Sequence, residues 1–254
     1  MHGSISSALD KFDSAERELR ADLAATFRMV ARADWHESIA NHFSVATSAD
    51  GSRFLMNPKW KHFSLIKASE LVHLDANDET TMDRPDAPDA TAWYIHGTMH
   101  ARMPHARCIL HVHSPYATTL SCLADPEMKP IDQTSARFFN RVAIDRGFSG
   151  MADDLNEGVR LANLLGNRRV LLMGNHGVLV VGASIAQAFD ELYHFERAAR
   201  TLMLAYASGQ PLSMLSPEVA ESTAQDWEKY DDGAFAHFSE MRRVLDAEGS
   251  SYAS

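Results

Sequence analysis

The sequence feature that most constrains the fold is the stretch Arg107–Tyr116, RCILHVHSPY. Cys108–Val112 reads as a buried β-strand that ends at paired histidines and runs into a Ser-Pro helix start. Side chains two positions apart on a strand point to the same face, so His111 and His113 can converge on one ion. Neutral imidazole is a favoured ligand for zinc and its first-row neighbours. Ordinary half-buried strands carry the same pair, so this stretch alone leaves both interpretations open.

The size and composition of the chain are those of an ordinary globular protein. Its 254 residues are 45% hydrophobic and 23% charged, and no stretch resembles a linker. A chain of this length can bury most of its apolar surface without disulfides. We therefore expect a single domain over residues 1–254, with a helical C-terminal extension at about 211–248.

Charge and hydropathy argue against several kinds of partner. The net charge of -10 argues against nucleic acid, because phosphate binding needs a basic surface. No apolar run approaches the roughly 20 residues that cross a bilayer, and the N-terminus shows no signal-peptide core. The two cysteines, Cys108 and Cys122, fit buried thiols in a reducing compartment. The expectation is a cytoplasmic protein that binds neither nucleic acid nor a membrane.

The first half of the chain reads as a helix, three short strands and a second helix. Apolar residues at steps of three, four and seven predict an amphipathic helix over Ala8–Ala33. The predicted strands are Asn41–Thr47, Arg53–Met56 and Leu71–Leu74, and the second helix is expected from about Thr91 to Met103.

Helices dominate most of the later sequence. Met151–Leu165 is expected to be helical, with Asp153 and Asp154 suited to its positive N-terminal end. A long helix is predicted over Ser184–Ala207, where a following glycine and proline end it. Pro217–Glu248 is expected to be helical, with aromatic side chains to pack.

A third candidate ligand lies in a turn between two predicted strands. The stretch Arg169–Val181, RVLLMGNHGVLVV, predicts two apolar strands around the turn that contains His176. Three protein ligands leave a coordination position open, which is typical of a catalytic metal site. The alternative is that His176 caps its own turn, and spacing alone does not decide between the two.

Two further histidines share one face of the helix predicted from Thr91 to Met103. His96 and His100 are four residues apart, which is a metal-like spacing, but the glutamate of an HExxH zinc motif is absent. Packed or hydrogen-bonded helix histidines are the favoured interpretation of this pair.

Three stretches of the chain resemble the class II aldolase/adducin family. LHVHSPYATTLSCL is followed further along by LLMGNHGVLVVG and a helix AFDELYHFERAAR, and the similarity extends from about Ala21 to Ala207. In family enzymes these histidines bind the catalytic zinc or manganese, so the resemblance implies a metal site at His111, His113 and His176. It also implies a three-layer α/β/α fold around a largely antiparallel central sheet, and a homotetramer with active sites at subunit interfaces.

The chain departs from the sugar-phosphate enzymes of that family. Those enzymes carry a catalytic acid four residues before a helix histidine; here that histidine is His96, and Ala92 takes the place of the acid. A phosphate cradle needs close backbone approach, which Trp60 would obstruct. A sugar phosphate is therefore not the expected substrate. The family's phosphate-binding positions fall on Asn41-His42, Lys59-Trp60 and Ala90-Thr91.

The replacements favour a carboxylate on a flat substrate. Lys59 and Lys61 bring positive charge to the former phosphate position, and Trp60 offers a flat apolar surface. The segment NPKWKHFS resembles family decarboxylases of hydroxylated aromatic and pyridine dicarboxylates. We therefore expect a small-molecule carboxylate substrate, contacted by Asn41 as well as by these three residues.

These features lead to one favoured function and two alternatives. The favoured function is a metal-dependent carbon–carbon lyase that decarboxylates a hydroxylated aromatic or oxo/hydroxy dicarboxylic acid, with the ion as Lewis acid. The alternatives are retro-aldol cleavage of a non-phosphorylated oxo/hydroxy acid, and a non-catalytic adducin-like binding module. His96, His62 and a water at the ion are the candidate proton donors. The aromatic residues expected to anchor a tetramer interface are Trp227, Tyr230 and Phe238.

Overall fold

A computed structural model describes residues 8–147 and 155–254. Within those ranges the strands are β1 (His42–Ala46), β2 (Arg53–Met56), β3 (Val72–Asp75), β4 (Cys108–Val112), β5 (Val142–Asp145), β6 (Val170–Met173) and β7 (Gly177–Gly182). The α-helices are α1 (Ser14–Arg32), α2 (Ala90–Arg102), α3 (Pro115–Ser121), α4 (Gln133–Ala136), α5 (Leu155–Leu165), α6 (Ile185–Ala207), α7 (Pro217–Glu228) and α8 (Asp231–Ala247).

The strands form one sheet in the order β3-β2-β1-β4-β7-β6-β5. Every neighbouring pair is antiparallel except β5 and β6, which run parallel. The strand that ends at the paired histidines, β4, lies at the centre of the sheet between β1 and β7. The largely antiparallel sheet expected from the family resemblance is therefore confirmed.

Helices cover both faces of this sheet, because the central strands carry apolar residues on both sides. Leu110 and Val112 of β4 face a core shared with α1, α3, α6 and α8. Ile109 faces the opposite core, which α2 and α5 close with side chains such as Met99 and Leu161. The three-layer α/β/α architecture is thus confirmed, and the alternation of β4 puts the next polar residue, His111, on the α2 side.

Helix α1 shows how local sequence produces this packing. It begins at Ser14, later than predicted, because the Asp13 carboxylate caps it by accepting a hydrogen bond from Glu16 N at 2.8 Å. Phe27 and Val30 follow the helical spacing and are fully buried. Burial of each such side chain contributes about 1.5–3 kcal/mol, so the apolar face of α1 is its main attachment to the core.

The C-terminal region folds back on the rest of the chain. The stretch predicted to be helical forms two helices, α7 and α8, which are separated at Tyr230. Beyond α8, Tyr252 is buried, and its carbonyl accepts a hydrogen bond from Ala68 N at 2.8 Å. The expectation that Phe238 anchors a subunit interface is wrong, because α8 packs this ring into the core beside Phe189, with ring centroids 5.8 Å apart.

A charged cluster joins α6 to α8 and to the end of α4. The Asp190 carboxylate accepts hydrogen bonds from Arg137 Nη1 and His237 Nδ1, both at 2.8 Å. Although burial raises it, hydrogen bonds from His194 and His237 and the charge of Arg137 hold the pKa of Asp190 well below its usual range. Three of these side chains have metal-like spacing, but Arg137 already neutralises the carboxylate. We therefore interpret the cluster as structural.

The sequence pattern does not predict β5 or α4. β5 has only four residues and lies at one edge of the sheet, so its alternation is too short to recognise. The predicted helix Met151–Leu165 is observed as α5 from Leu155, and its expected first turn, with Asp153 and Asp154, lies outside the described residues. In the parts of the chain that are described, no helix combines the length and apolar character needed to cross a membrane.

Candidate metal centre and active-site cavity

The pairing of β1 with β4 gathers polar side chains under α2. The antiparallel register sets His42 opposite His111 and Ser44 opposite Ile109. Because alternate residues share a face, His42 and Ser44 lie on the same side of the sheet as His111. The imidazole rings of His42 and His111 are neighbours, with centroids 4.9 Å apart.

His111 and His113 present two ring nitrogens to each other at the end of β4. Their Nε2 atoms are 3.1 Å apart. His111 donates through Nδ1 to Val178 O at 3.1 Å, and His113 donates through Nδ1 to Glu37 Oε2 at 2.6 Å. Burial, assisted by the neighbouring histidines, holds the pKa of His111 well below its ordinary value. The Nε2 atom of His111 is therefore free of hydrogen and available as a ligand, and the Nδ1 contact with Glu37 turns Nε2 of His113 toward it.

His176 joins this pair from the turn between β6 and β7. Its ring centroid lies 4.9 Å from that of His111 and 4.6 Å from that of His113. The next residue, Gly177, permits the approach, because a Cβ there would lie 2.6 Å from Val112 O and 2.9 Å from His113 Cδ2. Burial lowers the pKa of His176 to about 4, so this ring is also neutral near pH 7.

A buried carboxylate fixes the chain immediately after His113. Glu196 of α6 accepts hydrogen bonds from Ser114 Oγ at 2.6 Å, Tyr116 N at 2.9 Å and Ala117 N at 2.8 Å. These contacts satisfy backbone donors of the first turn of α3. The end of β4 is thus fixed by two carboxylates: Glu37 contacts the His113 ring, and Glu196 binds the residues that follow it.

The three histidines fit a divalent ion. One nitrogen from each of His111, His113 and His176 lies within 4.8 Å of the others. Two nitrogens bound at about 2.0–2.1 Å to a tetrahedral ion are about 3.3 Å apart, close to the separation seen for the first pair. The carbonyl and carboxylate behind the rings are the partners that commonly orient metal-binding histidines. Three ligands leave a position open for substrate.

A cavity of about 640 Å³ opens beside these histidines. Its wall includes the carboxylates Glu37 and Asp89 and the ammonium group of Lys59. Ala92 also lines it, one helical turn after Asp89. The apolar part of the wall is formed by Ile39, Met56 and Ile95. The cavity thus combines both signs of charge with apolar surface.

Lys59 and Trp60 lie in the cavity wall. Trp60 has a φ of 60°, the backbone region that glycine adopts most easily, although its side chain is large. The residue is 72% exposed, and Lys59 Nζ lies 4.5 Å from the ring centroid. Lys59 Nζ is 3.9 Å from Asp89 Oδ2, so its charge is only loosely paired.

Lys61 and His62 lie away from this cavity. Lys61 forms an ion pair with Glu70. His62 Nδ1 accepts a hydrogen bond from Ser64 N at 3.1 Å and lines a separate surface pocket with Arg28. The loop therefore puts Lys59 and Lys61 in different surroundings, although they are only two residues apart.

Asn41 lines the cavity with an incompletely satisfied amide. Its Oδ1 accepts a hydrogen bond from Glu37 N at 2.8 Å. Its Nδ2 is buried and has no hydrogen-bond partner among the described residues. A buried amide donor at a cavity wall is suited to an oxygen of a ligand or a water.

His96 is fully buried and does not line the cavity. Its Nε2 lies 2.7 Å from His42 Nδ1, and its Nδ1 lies 2.6 Å from Ser44 Oγ. The neighbouring helix histidine, His100, contacts Ser44 Oγ at 2.7 Å and Ala106 O at 2.7 Å. Burial lowers the pKa of His42 and His100 to about 3, and burial also holds that of His96 well below its ordinary value.

Sequence reasoning missed three residues of this site, Glu37, Ser44 and Asp89, and identified His42 only as part of a former phosphate-binding position. The alternation of His42 and Ser44 is visible in the sequence, but only the register with β4 shows that they face α2. Glu37 carries no spacing signal, because it reaches His113 from a loop distant in sequence. Asp89 precedes α2 as its cap and could have been found from the helix start.

With the fold and the histidine site in place, comparison with known proteins assigns the class. Residues 21–203 match the family described as the class II aldolase and adducin N-terminal domain. The chain therefore belongs to the class II aldolase/adducin family.

Two relatives show the range of that family. The chain is 31% identical over 211 residues to a Caulobacter vibrioides protein named for class 2 aldolases, covering 83% of this chain and 81% of the relative. It is 25% identical over 189 residues to the decarboxylase NovR of Streptomyces niveus, covering 74% of this chain and 69% of that protein.

Two solved structures share the fold. An aldolase II superfamily protein from Pseudomonas syringae has a TM-score of 0.87 and 30% identity, and the match covers 98% of this chain and 100% of that one. An L-fuculose 1-phosphate aldolase from Glaciozyma antarctica has a TM-score of 0.80 and 20% identity, over 99% of this chain and 96% of that one. The second similarity establishes the fold alone.

Proposed function

We propose that this protein is a metal-dependent carbon–carbon lyase that decarboxylates a hydroxylated aromatic or oxo/hydroxy dicarboxylic acid. The observation that carries the proposal is the cluster of His111, His113 and His176 beside the cavity. Lys59 lies in the cavity wall, and the wall has an alanine, Ala92, where the sugar-phosphate enzymes carry an acid. When bound to these histidines, zinc or manganese supplies Lewis-acid stabilisation of negative charge on a substrate oxygen.

The chain's own residues bind the carboxylate. Lys59 is the ammonium group of the cavity, and its pairing with Asp89 is loose enough to exchange for a substrate carboxylate. The unpartnered Asn41 Nδ2 offers a further donor, and the exposed ring of Trp60 offers a surface for a flat substrate. Lys61 is held by Glu70 outside the cavity, so we do not include it.

Ala92 favours decarboxylation over aldol cleavage. Retro-aldol cleavage needs a base for the proton of the departing alcohol, and general acid–base assistance is typically worth about 10²–10⁴-fold. Carbon dioxide leaves without a base, and only the carbon left behind must gain a proton. The similarity to the decarboxylase NovR supports the same choice.

Water is the proton source we propose for that carbon. His96 is separated from the cavity by His42, and His62 lies outside it. His96 would then act by positioning His42 rather than by touching the substrate.

Retro-aldol cleavage of a non-phosphorylated acid is the second candidate, and Asp89 favours it. This carboxylate lies in the cavity wall one turn before Ala92. It caps α2 by accepting hydrogen bonds from Thr91 N at 3.0 Å and Thr91 Oγ1 at 2.7 Å. Those bonds occupy its Oδ1, so decarboxylation remains our first choice.

We further propose a cytoplasmic homotetramer whose active sites lie at subunit interfaces. The resemblance to family enzymes motivates this assembly. The exposed rings of Trp60 at the cavity and Tyr230 between α7 and α8 are suited to contact with a neighbouring subunit.

A substrate screen tests the proposed reaction. Protein loaded with zinc or manganese is given hydroxybenzoic, pyridine dicarboxylic and β-oxo acids, and carbon dioxide is measured beside aldehyde release from sugar phosphates. His113→Ala is compared with His73→Ala, which removes an exposed histidine on the edge strand β3. We expect carbon dioxide release that His113→Ala abolishes and His73→Ala retains, with about one ion per chain in the wild type.

The other outcomes separate the alternatives. Aldehyde without carbon dioxide would replace decarboxylation with retro-aldol cleavage. A bound ion with neither product would favour the adducin-like binding module. Full metal content in His113→Ala would contradict the ligand assignment itself.

A further inference from the structure

A buried row of side chains leads from the cavity to a backbone carbonyl. At its inner end, His100 Nδ1 lies 2.7 Å from Ala106 O. A carbonyl oxygen can only accept, so His100 carries its hydrogen on Nδ1. Because the buried ring is neutral, its Nε2 has no hydrogen and must accept one.

Ser44 passes this constraint to the next ring. Its Oγ lies 2.7 Å from His100 Nε2 and 2.6 Å from His96 Nδ1. A hydroxyl has one hydrogen, and the bare His100 Nε2 requires it. Ser44 Oγ therefore accepts from His96 Nδ1, which leaves His96 Nε2 without a hydrogen.

The last member of the row is His42, and it alone among the four side chains lines the cavity. His42 Nδ1 lies 2.7 Å from His96 Nε2 and must donate to it. The tautomer of His42 is thus fixed, with its Nε2 bare. His42 is not one of the three histidines whose ligand nitrogens converge within 4.8 Å.

We propose that His42 Nε2 is a fixed hydrogen-bond acceptor for a hydroxyl group of the substrate, so that the site selects hydroxy acids. A hydroxyl suits this position better than an ammonium group, because Lys59 and a bound divalent ion would repel positive charge. A site built to bond a hydroxyl discriminates strongly against analogues that lack it, since its polar atom is then left unpaired.

Ser44, His96 and His100 are positioning residues in this scheme. The row ends at the carbonyl of Ala106, which has no proton to give and cannot pass one on. The row therefore sets the direction of the His42 lone pair and does not conduct protons to solvent.

The tautomer can be measured on the unmodified protein without any ion or substrate. Histidine-selective nitrogen-15 labelling and long-range nitrogen–proton correlation spectra distinguish protonated from bare ring nitrogens, and His42→Phe identifies the His42 signals. We expect Nδ1–H and bare Nε2 for His42, His96 and His100 at neutral pH. A hydrogen on His42 Nε2 would overturn the proposal.

Substitution of Ser44 tests the connection. Ser44→Ala should leave His100 with Nδ1–H but return His42 to a mixture of tautomers, whereas Ser44→Thr keeps the hydroxyl and should retain the wild-type pattern. An unchanged His42 spectrum in Ser44→Ala would show that the row does not fix this ring.

Ligand binding tests the selection for hydroxyl groups. The probes are 2-hydroxybenzoate and benzoate, titrated into zinc-loaded protein by calorimetry. His42→Phe should weaken 2-hydroxybenzoate about tenfold and leave benzoate and zinc content unchanged, and the exposed-site control His73→Phe should change neither. Equal losses for both ligands, or no loss, would contradict the proposal.

This selection rests on the proposed function only in assuming a carboxylate substrate. If the tautomer and the hydroxyl preference are found but no carbon dioxide is released, the proposed reaction fails and the assignment of His42 stands. If carbon dioxide is released but the spectra show a hydrogen on His42 Nε2, the assignment of His42 fails and the proposed reaction stands.

Discussion

His113 donates its Nδ1 hydrogen to Glu37 Oε2 across 2.6 Å, which joins the end of β4 to the loop before β1. The Glu37 side chain is more than half exposed, whereas His113 is largely buried. The hydrogen bond orients the ring of this proposed metal ligand from the protein surface. It also determines which nitrogen of His113 faces the other two histidines.

Loss of this contact should weaken the metal site without removing a ligand. Glu37→Gln is expected to lower zinc affinity about 10–100-fold, because an outer partner that orients a ligating histidine typically contributes that much. Competition with a chromogenic chelator measures the change. Glu79→Gln, at an exposed position, should bind zinc like the wild type, and equal affinities in all three proteins would contradict the prediction.

The two lysines of the Trp60 loop should differ sharply. Lys59→Met is expected to weaken substrate binding about tenfold or more, because a hydrogen bond to a charged group contributes about 1.5–3 kcal/mol. Lys61→Met is the matched control, since Lys61 pairs with Glu70 outside the cavity. Michaelis constants of both variants decide the question, and a larger effect for Lys61→Met would place the carboxylate elsewhere.

The neutral buried histidines predict loss of stability in mild acid. The folded pKa of His100 is lowered by burial to about 3, below the value of about 6.5 expected for the unfolded chain. Below pH 6.5 the unfolded chain therefore binds a proton that the folded chain does not. The stability from this group is complete above pH 6.5 and decreases as the pH falls toward 3.

Urea unfolding at several pH values measures this effect. Between pH 6.5 and 5, His100 should account for a loss of about 2 kcal/mol, and the fully buried His96 should add to it. His100→Gln should reduce the slope of the unfolding free energy against pH by close to one proton. His62→Gln is the control, because it removes a histidine outside the buried row. An unchanged slope in His100→Gln would refute the assignment.

The proposed tetramer is tested by light scattering. We expect a mass near four chains at micromolar concentration, and Tyr230→Lys should reduce it if this exposed ring lies in an interface. Lys229→Glu changes a neighbouring exposed residue and controls for charge alone. A monomeric wild type would contradict active sites shared between subunits.

The sequence was most informative where periodicity and chain breaks agree. β2 and β4 begin and end where the pattern predicts, because short apolar runs are bounded by polar turns. Family resemblance predicted the largely antiparallel sheet. It also predicted His176 as the third metal ligand, a role that residue spacing alone left undecided. Ala92, which the resemblance places at the acid position of the sugar-phosphate enzymes, lies in the cavity wall.

The remaining features depend on register and on side-chain direction. His42 meets His111 only because β1 pairs with β4 at that offset, and no local pattern encodes the offset. Lys59 and Lys61 have the same chemistry in sequence, yet loop geometry puts one in the cavity and the other beside Glu70. Phe238 shows the same limit, because a helical pattern does not reveal which neighbour covers it.

The burial of the His111 and His176 rings has a calorimetric consequence. The pKa of His111 lies well below its ordinary value and that of His176 is about 4, both chiefly through burial. These two rings have no proton to lose at pH 7, so ion uptake should displace almost none from them. Any dependence of the heat of zinc binding on the ionisation heat of the buffer should then come from groups other than these two rings. Folding has already removed the protons from these two rings, whereas a protonated, solvent-exposed ligand loses its proton only when the ion binds.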